Sequence, residues 1–238
     1  MKDILKVMWF DLLTSANLAV PAMLVFLLVC GVGALFFSPL MAGFLAFGSM
    51  LFVIPLQSAA ERSGFHKLYG LLPVKRKQIT RGRFAFMFAA FFGTELIGIL
   101  IARIAPFLAL YRLLPNQGSP NLVLIAKTFE DVQTSVMAII LMHFLMSLVF
   151  IYMEMMGQIF GRENEMKIIM ISLTVLTVVL ITFFTLSDHE IIPRINFGFD
   201  EFQNAGNLFQ LVSTGLIFLV LTIVFGEITA HVVSRREL

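Results

Sequence analysis

Apolar runs of membrane length alternate with short polar stretches along the whole chain. Residues 18–37 hold no charge, and Ser38-Pro39 separates them from a second apolar run over 40–56. Further runs cover 84–111, 132–152, 168–186 and 208–233, the third broken by Glu95 and Arg103. A bilayer core about 30 Å thick needs about 20 apolar helical residues, with a lower bound of about 17. The pattern therefore predicts six spans, the second at the short end of the range. The turn at Ser38-Pro39 is too short for anything but an antiparallel hairpin. Ahead of the first run, Met1–Asn17 is too short to cross. Its Ile4, Leu5, Met8, Trp9, Leu12 and Leu13 recur at helical spacing among Lys2, Asp3, Lys6 and Asp11. That stripe predicts a helix lying in the interface, with the single tryptophan at headgroup depth.

Composition moves this reading from pattern to solvent. Hydrophobic residues make up 59% of the chain and charged residues 13%, against about 45–50% and about 25% in soluble domains. A soluble fold could not hide that much apolar surface. The fold class expected is an all-α integral membrane protein, a single transmembrane domain over 1–238. The lone cysteine, Cys30, lies in an apolar run, which excludes an intrachain disulfide and reads as a small buried hydrophobe. No cleavage pattern follows the first run, so no signal peptide is expected.

Charge distribution orients the spans. With six spans the termini share a side, which holds Lys2, Lys6, Arg62, Lys67, Lys75, Arg76, Lys77, Arg81, Arg83, Arg162, Lys167, Arg235 and Arg236. The other side holds Arg112, Lys127 and Arg194. Thirteen cations against three place both termini in the cytoplasm.

The chemistry is mostly negative. The chain has no GxxxxGK[ST] phosphate loop, HExxH, CxxC or GxSxG. His66, His143, His189 and His231 fall at different positions of the six-span topology and make no single metal site; His143 reads as a helix-packing histidine. Glu95 and Arg103 are charges at bilayer depth, which usually face a bundle interior or a wet cavity. Eight residues apart, they lie about 12 Å apart along a helix and do not pair directly on an unbroken one. Glu95 is a candidate for a translocation path or a contact with a second copy of the chain, or for structural pairing with a neighbouring helix. Arg103 shares the first candidacy or snorkels to headgroups. Phe84, Phe86, Phe88, Phe91 and Phe92 open the third span and face lipid, packed neighbours or a conduit for apolar cargo.

The stretch 61–83, ERSGFHKLYGLLPVKRKQITRGR, carries seven of the 17 lysines and arginines. Its order is Glu61-Arg62, Gly64, an apolar-aromatic segment reaching Leu71-Leu72-Pro73-Val74, then Lys75-Arg76-Lys77-Gln78-Ile79 and Arg81 before a long span. This order resembles the permease subunits of type-2 ABC exporters, which carry a short cytoplasmic helix and a leucine-proline-valine-basic connector between spans two and three. The six-span layout, the N-terminal interfacial helix, the longer external loop before the last span and the tail Ser234-Arg235-Arg236 extend the resemblance. It is most similar to small Firmicutes-type permeases, including exporters of phenol-soluble modulins.

The resemblance implies two permease copies in a bacterial plasma membrane above two separate ATP-binding subunits. ATP and Mg would sit on those partners, with no cofactor, metal or catalytic residue in this chain and no nucleic-acid partner. A cytoplasmic coupling helix over Glu61–Gly70 would seat in the ATPase, with Phe65, Leu68 and Tyr69 as anchors and Glu61, Arg62, His66 and Lys67 around them. The basic residues after Pro73 would meet lipid phosphates. The cargo would be an amphipathic or hydrophobic peptide. Two other classes remain open, a non-transporting membrane immunity or sensor protein and a membrane enzyme.

Overall fold

The computed structural model describes residues 2–63, 74–108, 110–113, 120–161, 164, 167–172, 174–175, 177–178, 182, 185, 202, 204 and 206–235. Their regular structure is entirely helical. In chain order it comprises α1 (Lys2–Phe36), a 3-10 turn (Pro39–Phe44), α2 (Leu45–Ser63), α3 (Arg76–Leu108), a second 3-10 turn (Leu110–Leu113), α4 (Pro120–Glu130), α5 (Val132–Phe160) and α6 (Asn207–Arg235). Four helical stretches are long and apolar enough to cross a membrane: Ala19–Phe36 within α1, then α3, α5 and α6. They coincide with the first, third, fourth and sixth expected spans. Of the fifth, 168–186, the described residues are 168–172, 174, 175, 177, 178, 182 and 185, and all of them are helical.

Several boundaries differ from the sequence expectation. Residues 1–17 do not form a separate interfacial helix: α1 runs unbroken from Lys2 to Phe36, through Pro21. Thr14 and Ser15 sit where a break was expected, and their hydroxyls donate to the carbonyls of Phe10 and Asp11 at 2.8 and 2.9 Å. Both bonds run back one turn and suit a continuing helix. The second apolar segment starts as the 3-10 turn, with the Ser38 hydroxyl accepting from Leu40 N. It then continues as α2, helical from Leu45 to Ser63. The turn is buried at Pro39, Ala42 and Gly43, where it packs between α3 and α5.

The largest shift is at the basic loop. Helix α3 begins at Arg76, so Arg81 and Arg83 stand inside it rather than in the connector. Likewise α5 continues through Glu154 to Phe160, where a polar loop was expected. The expected loop 112–131 contains α4, and Asp131 caps α5 by accepting from Thr134 N at 3.1 Å. The bonds from Thr134 hold the exposed Asp131 carboxyl below the usual carboxylate range.

Helix α3 is central and touches α1, α2, α5 and α6. Its Phe84, Met87 and Phe91 pack with Ile151, Met155 and Ile159 of α5, Phe218 of α6 and Val53 of α2. Phe88 stacks on Phe92 and on Phe218, with centroids 5.6 and 5.1 Å apart. The phenylalanines that open the third span therefore build an aromatic core between helices. Outward faces are apolar: Leu24, Val25, Leu28 and Val29 on α1 and Leu216, Ile217, Val220 and Ile223 on α6 are all exposed. The inner stripe of α6 is more polar, with buried Gln210, Thr214, Thr222 and Thr229. Apolar outside and polar within is the arrangement expected when lipid is the solvent.

Helix α1 meets α3 at a close crossing. A Cβ built on Gly82 would lie 2.6 Å from Val7 Cβ and 3.2 Å from the Ile4 carbonyl, so the absent side chain sets the helix separation. Gly82→Val should destabilise the protein by about 1–3 kcal/mol. Gly93→Ala on the same helix, whose Cβ would meet nothing within 4 Å, should lie near wild type. Thermal unfolding of both variants in detergent checks the contrast.

Candidate functional site

Polar side chains on α3 meet α5 and α6 at three levels, and pair across helices at the first and third of them. At the first level, Arg83 is 1% and Glu154 0% exposed, with Nε 2.7 Å from Oε1. Gln158, one turn along α5, donates to the same Glu154 oxygen at 2.7 Å. Nearby, Arg81 pairs with Glu227 of α6 at 2.6 Å, and Lys77 stands 3.9 Å from that carboxylate. A charge in hydrocarbon is costly, and pairing across helices is how it is tolerated. These pairs fix how α3 lies against its two neighbours.

The middle level follows from that register. Glu95 is twelve residues beyond Arg83 on α3, and His143 is eleven residues before Glu154 on the antiparallel α5. At 1.5 Å per residue the two climb about 18 and 16 Å and arrive together. Both line a small cavity with Ser147, Thr214, Phe91, Phe144 and Phe218. Glu95 is 6% and His143 1% exposed.

At the third level, Arg103 Nη2 lies 2.7 Å from the side-chain oxygen of Asn207 at the start of α6, with the Asn207 amide turned to face it. The Asn207 nitrogen then donates to Gln210 Oε1 at 3.0 Å, and Gln210 Nε2 donates to the Phe202 carbonyl at 2.8 Å. Glu95 and Arg103 thus serve different neighbours. Glu95 turns into the α3–α5–α6 junction, and the Arg103 guanidinium reaches α6.

Two apolar grooves flank the first turns of α1 and share Met8 and Ala89. One, of about 440 Å3, is bounded by Trp9, Leu12, Phe52 and Phe86. The other, of about 360 Å3, runs between α3 and α6 past Phe84, Phe88 and Ile223, with Arg81 and Glu227 at its edge.

Of the expected coupling residues, Phe65, His66, Lys67, Leu68 and Tyr69 lie outside the described residues. Glu61 and Arg62 belong to the last turn of α2, but their side chains also lie outside the description. The connector cations were expected to face lipid; Arg83 and Arg81 instead hold carboxylates of α5 and α6. Sequence reasoning missed Glu154 and Gln158 as site residues. Their four-residue spacing, flanked by apolar residues on both sides, was the available signal. No group of three or more metal-ligating side chains occurs among the described residues.

Removing one partner of a buried pair strands the other charge. Arg83→Met should cost about 3–5 kcal/mol, and Arg83→Met combined with Glu154→Leu should recover most of that loss. Unfolding midpoints of the two single variants and the double variant measure the coupling. Comparison with protein-family models, curated proteins and solved structures returns no match for this chain.

Proposed function

We propose that this chain is the membrane-spanning permease subunit of an ATP-driven exporter of the type-2 ABC class. The observation that carries the reading is the residue order Glu61–Arg83 between two membrane-embedded helices. In this reading the chain has six spans with both termini in the cytoplasm of a bacterial cell. Two copies form the membrane core, and two separate ATP-binding subunits dock beneath them, holding ATP and Mg2+. Residues Glu61–Gly70 seat in the ATPase through Phe65, Leu68 and Tyr69, with Glu61, Arg62, His66 and Lys67 at the rim of the contact.

The geometry supports a route for the stroke. The connector ends at Arg76, where α3 starts. Within two turns α3 is bound to α6 through Arg81 and to α5 through Arg83. Gly82, between them, rests on α1. A displacement of the connector therefore enters the helix that touches α1, α2, α5 and α6. The two apolar grooves beside Met8 suit an amphipathic or hydrophobic peptide, and Arg81 and Glu227 offer charge at the edge of one of them.

Two measurements test the reading. Phe65→Ala with Tyr69→Ala should abolish co-purification with a Walker-type ATP-binding subunit and uncouple its ATP hydrolysis, by at least about tenfold for two interface anchors. An intact complex with unchanged coupled hydrolysis would overturn the coupling assignment. In a Cys30→Ala background, Lys75→Cys should label only from inside the cell and Asn116→Cys only from outside. The opposite pattern, or labelling of both from one side, rules out the topology.

A further inference from the structure

The cavity between α3, α5 and α6 has an imbalance of donors and acceptors. The Ser147 hydroxyl donates to the Phe144 carbonyl at 2.7 Å, and the Thr214 hydroxyl to the Gln210 carbonyl at 2.6 Å. Both therefore present lone pairs to the cavity. His143 Nδ1 lies 3.1 Å from the Ile139 carbonyl, which can only accept, so Nδ1 carries the proton and Nε2 of the neutral ring is an acceptor. An ionised Glu95 would add two more acceptors. Among the described residues, neither Glu95 Oε1 nor His143 Nε2 has a hydrogen-bond partner. Three helices thus direct acceptors into an apolar-walled space of about 10 Å3, room for one water.

From this geometry we infer that the junction is a proton-binding site. Glu95 holds a dissociable proton as a carboxylic acid and directs it to Nε2 of His143 through one water in the cavity. The proton converts one acceptor into a donor and removes a charge from the bundle interior. Its loss leaves a carboxylate facing lone pairs, so deprotonation loosens the α3–α5–α6 junction.

Among the described residues, no other charged group lines the site. On α3, Arg83 and Arg103 lie about 18 and 12 Å away along the helix axis and are engaged with Glu154 and Asn207. On α5, Glu154 is about 16 Å from His143, and on α6, Glu227 is about 20 Å from Thr214. On α1, Asp11 is one turn from the Val7–Gly82 contact, whereas Glu95 is about 20 Å from it. The stretch Leu45–Ile54 of α2 carries no titratable side chain.

Infrared difference spectroscopy on the full chain in lipid nanodiscs, between about pH 6 and about pH 9, tests the site without any transport assay. A solvated glutamate with a pKa of about 4.3 is ionised throughout that range. A protonated-carboxyl band is expected at the lower pH, decreasing as pH rises and absent in Glu95→Gln. With the Nε2 acceptor removed in His143→Phe, the band should move to higher frequency. No such band, or a band that persists in Glu95→Gln, overturns the proton site. A band that stays in place in His143→Phe overturns the pairing with His143. Because the readout belongs to this chain alone, it stands or falls independently of the exporter reading.

Discussion

The buried contact between Arg83 and Glu154 is the constraint on which the rest of the bundle depends. In lipid, the hydrophobic effect does not favour one apolar neighbour of a helix over another, which leaves packing and polar contacts to choose. Packing alone leaves register poorly defined, and polar groups define it. A fully buried guanidinium and carboxylate allow one alignment of α3 on α5, because any slip leaves two charges in hydrocarbon. Arg81 with Glu227, side chains 30% and 44% exposed, adds a weaker tie to α6 from the next face of α3.

The other levels then fall into place. Phe91 meets Phe150, with centroids 5.8 Å apart, between the ion pair and the Glu95 cavity. Phe88 meets Phe218 between Arg81 and Thr214. Near the far end Arg103 reaches Asn207. Aromatic layers alternate with polar ones along α3, so the central helix is held from both flanks over most of its length. A helix held this way is constrained along most of its length, as the exporter proposed above would require of a helix driven from its first turn.

Hydropathy made four membrane helices legible, because their apolar runs are long and their flanks polar. It failed at the helix ends. A charge read along a sequence marks a boundary, and so Arg83 and Glu154 were read into loops; they cancel only across two helices that the sequence does not align. The break expected after Asn17 did not occur: α1 continues through it, with the Thr14 and Ser15 hydroxyls bonded within the helix. The second segment was legible as apolar, but its 3-10 start was not, since that follows from the fit between α3 and α5. Glu95 was legible as an intramembrane charge and His143 as a packing histidine. Their common cavity was not, because it depends on the register set eleven or twelve residues away.

Hydrogen–deuterium exchange of the Arg83→Met variant in lipid measures that dependence most directly. If the ion pair sets the register of the bundle, protection should fall together along α3 and α5, reaching the amides around Glu95 and His143. Loss confined to the turns next to residues 83 and 154, with the Glu95 and His143 regions as protected as in the wild type, would contradict the account.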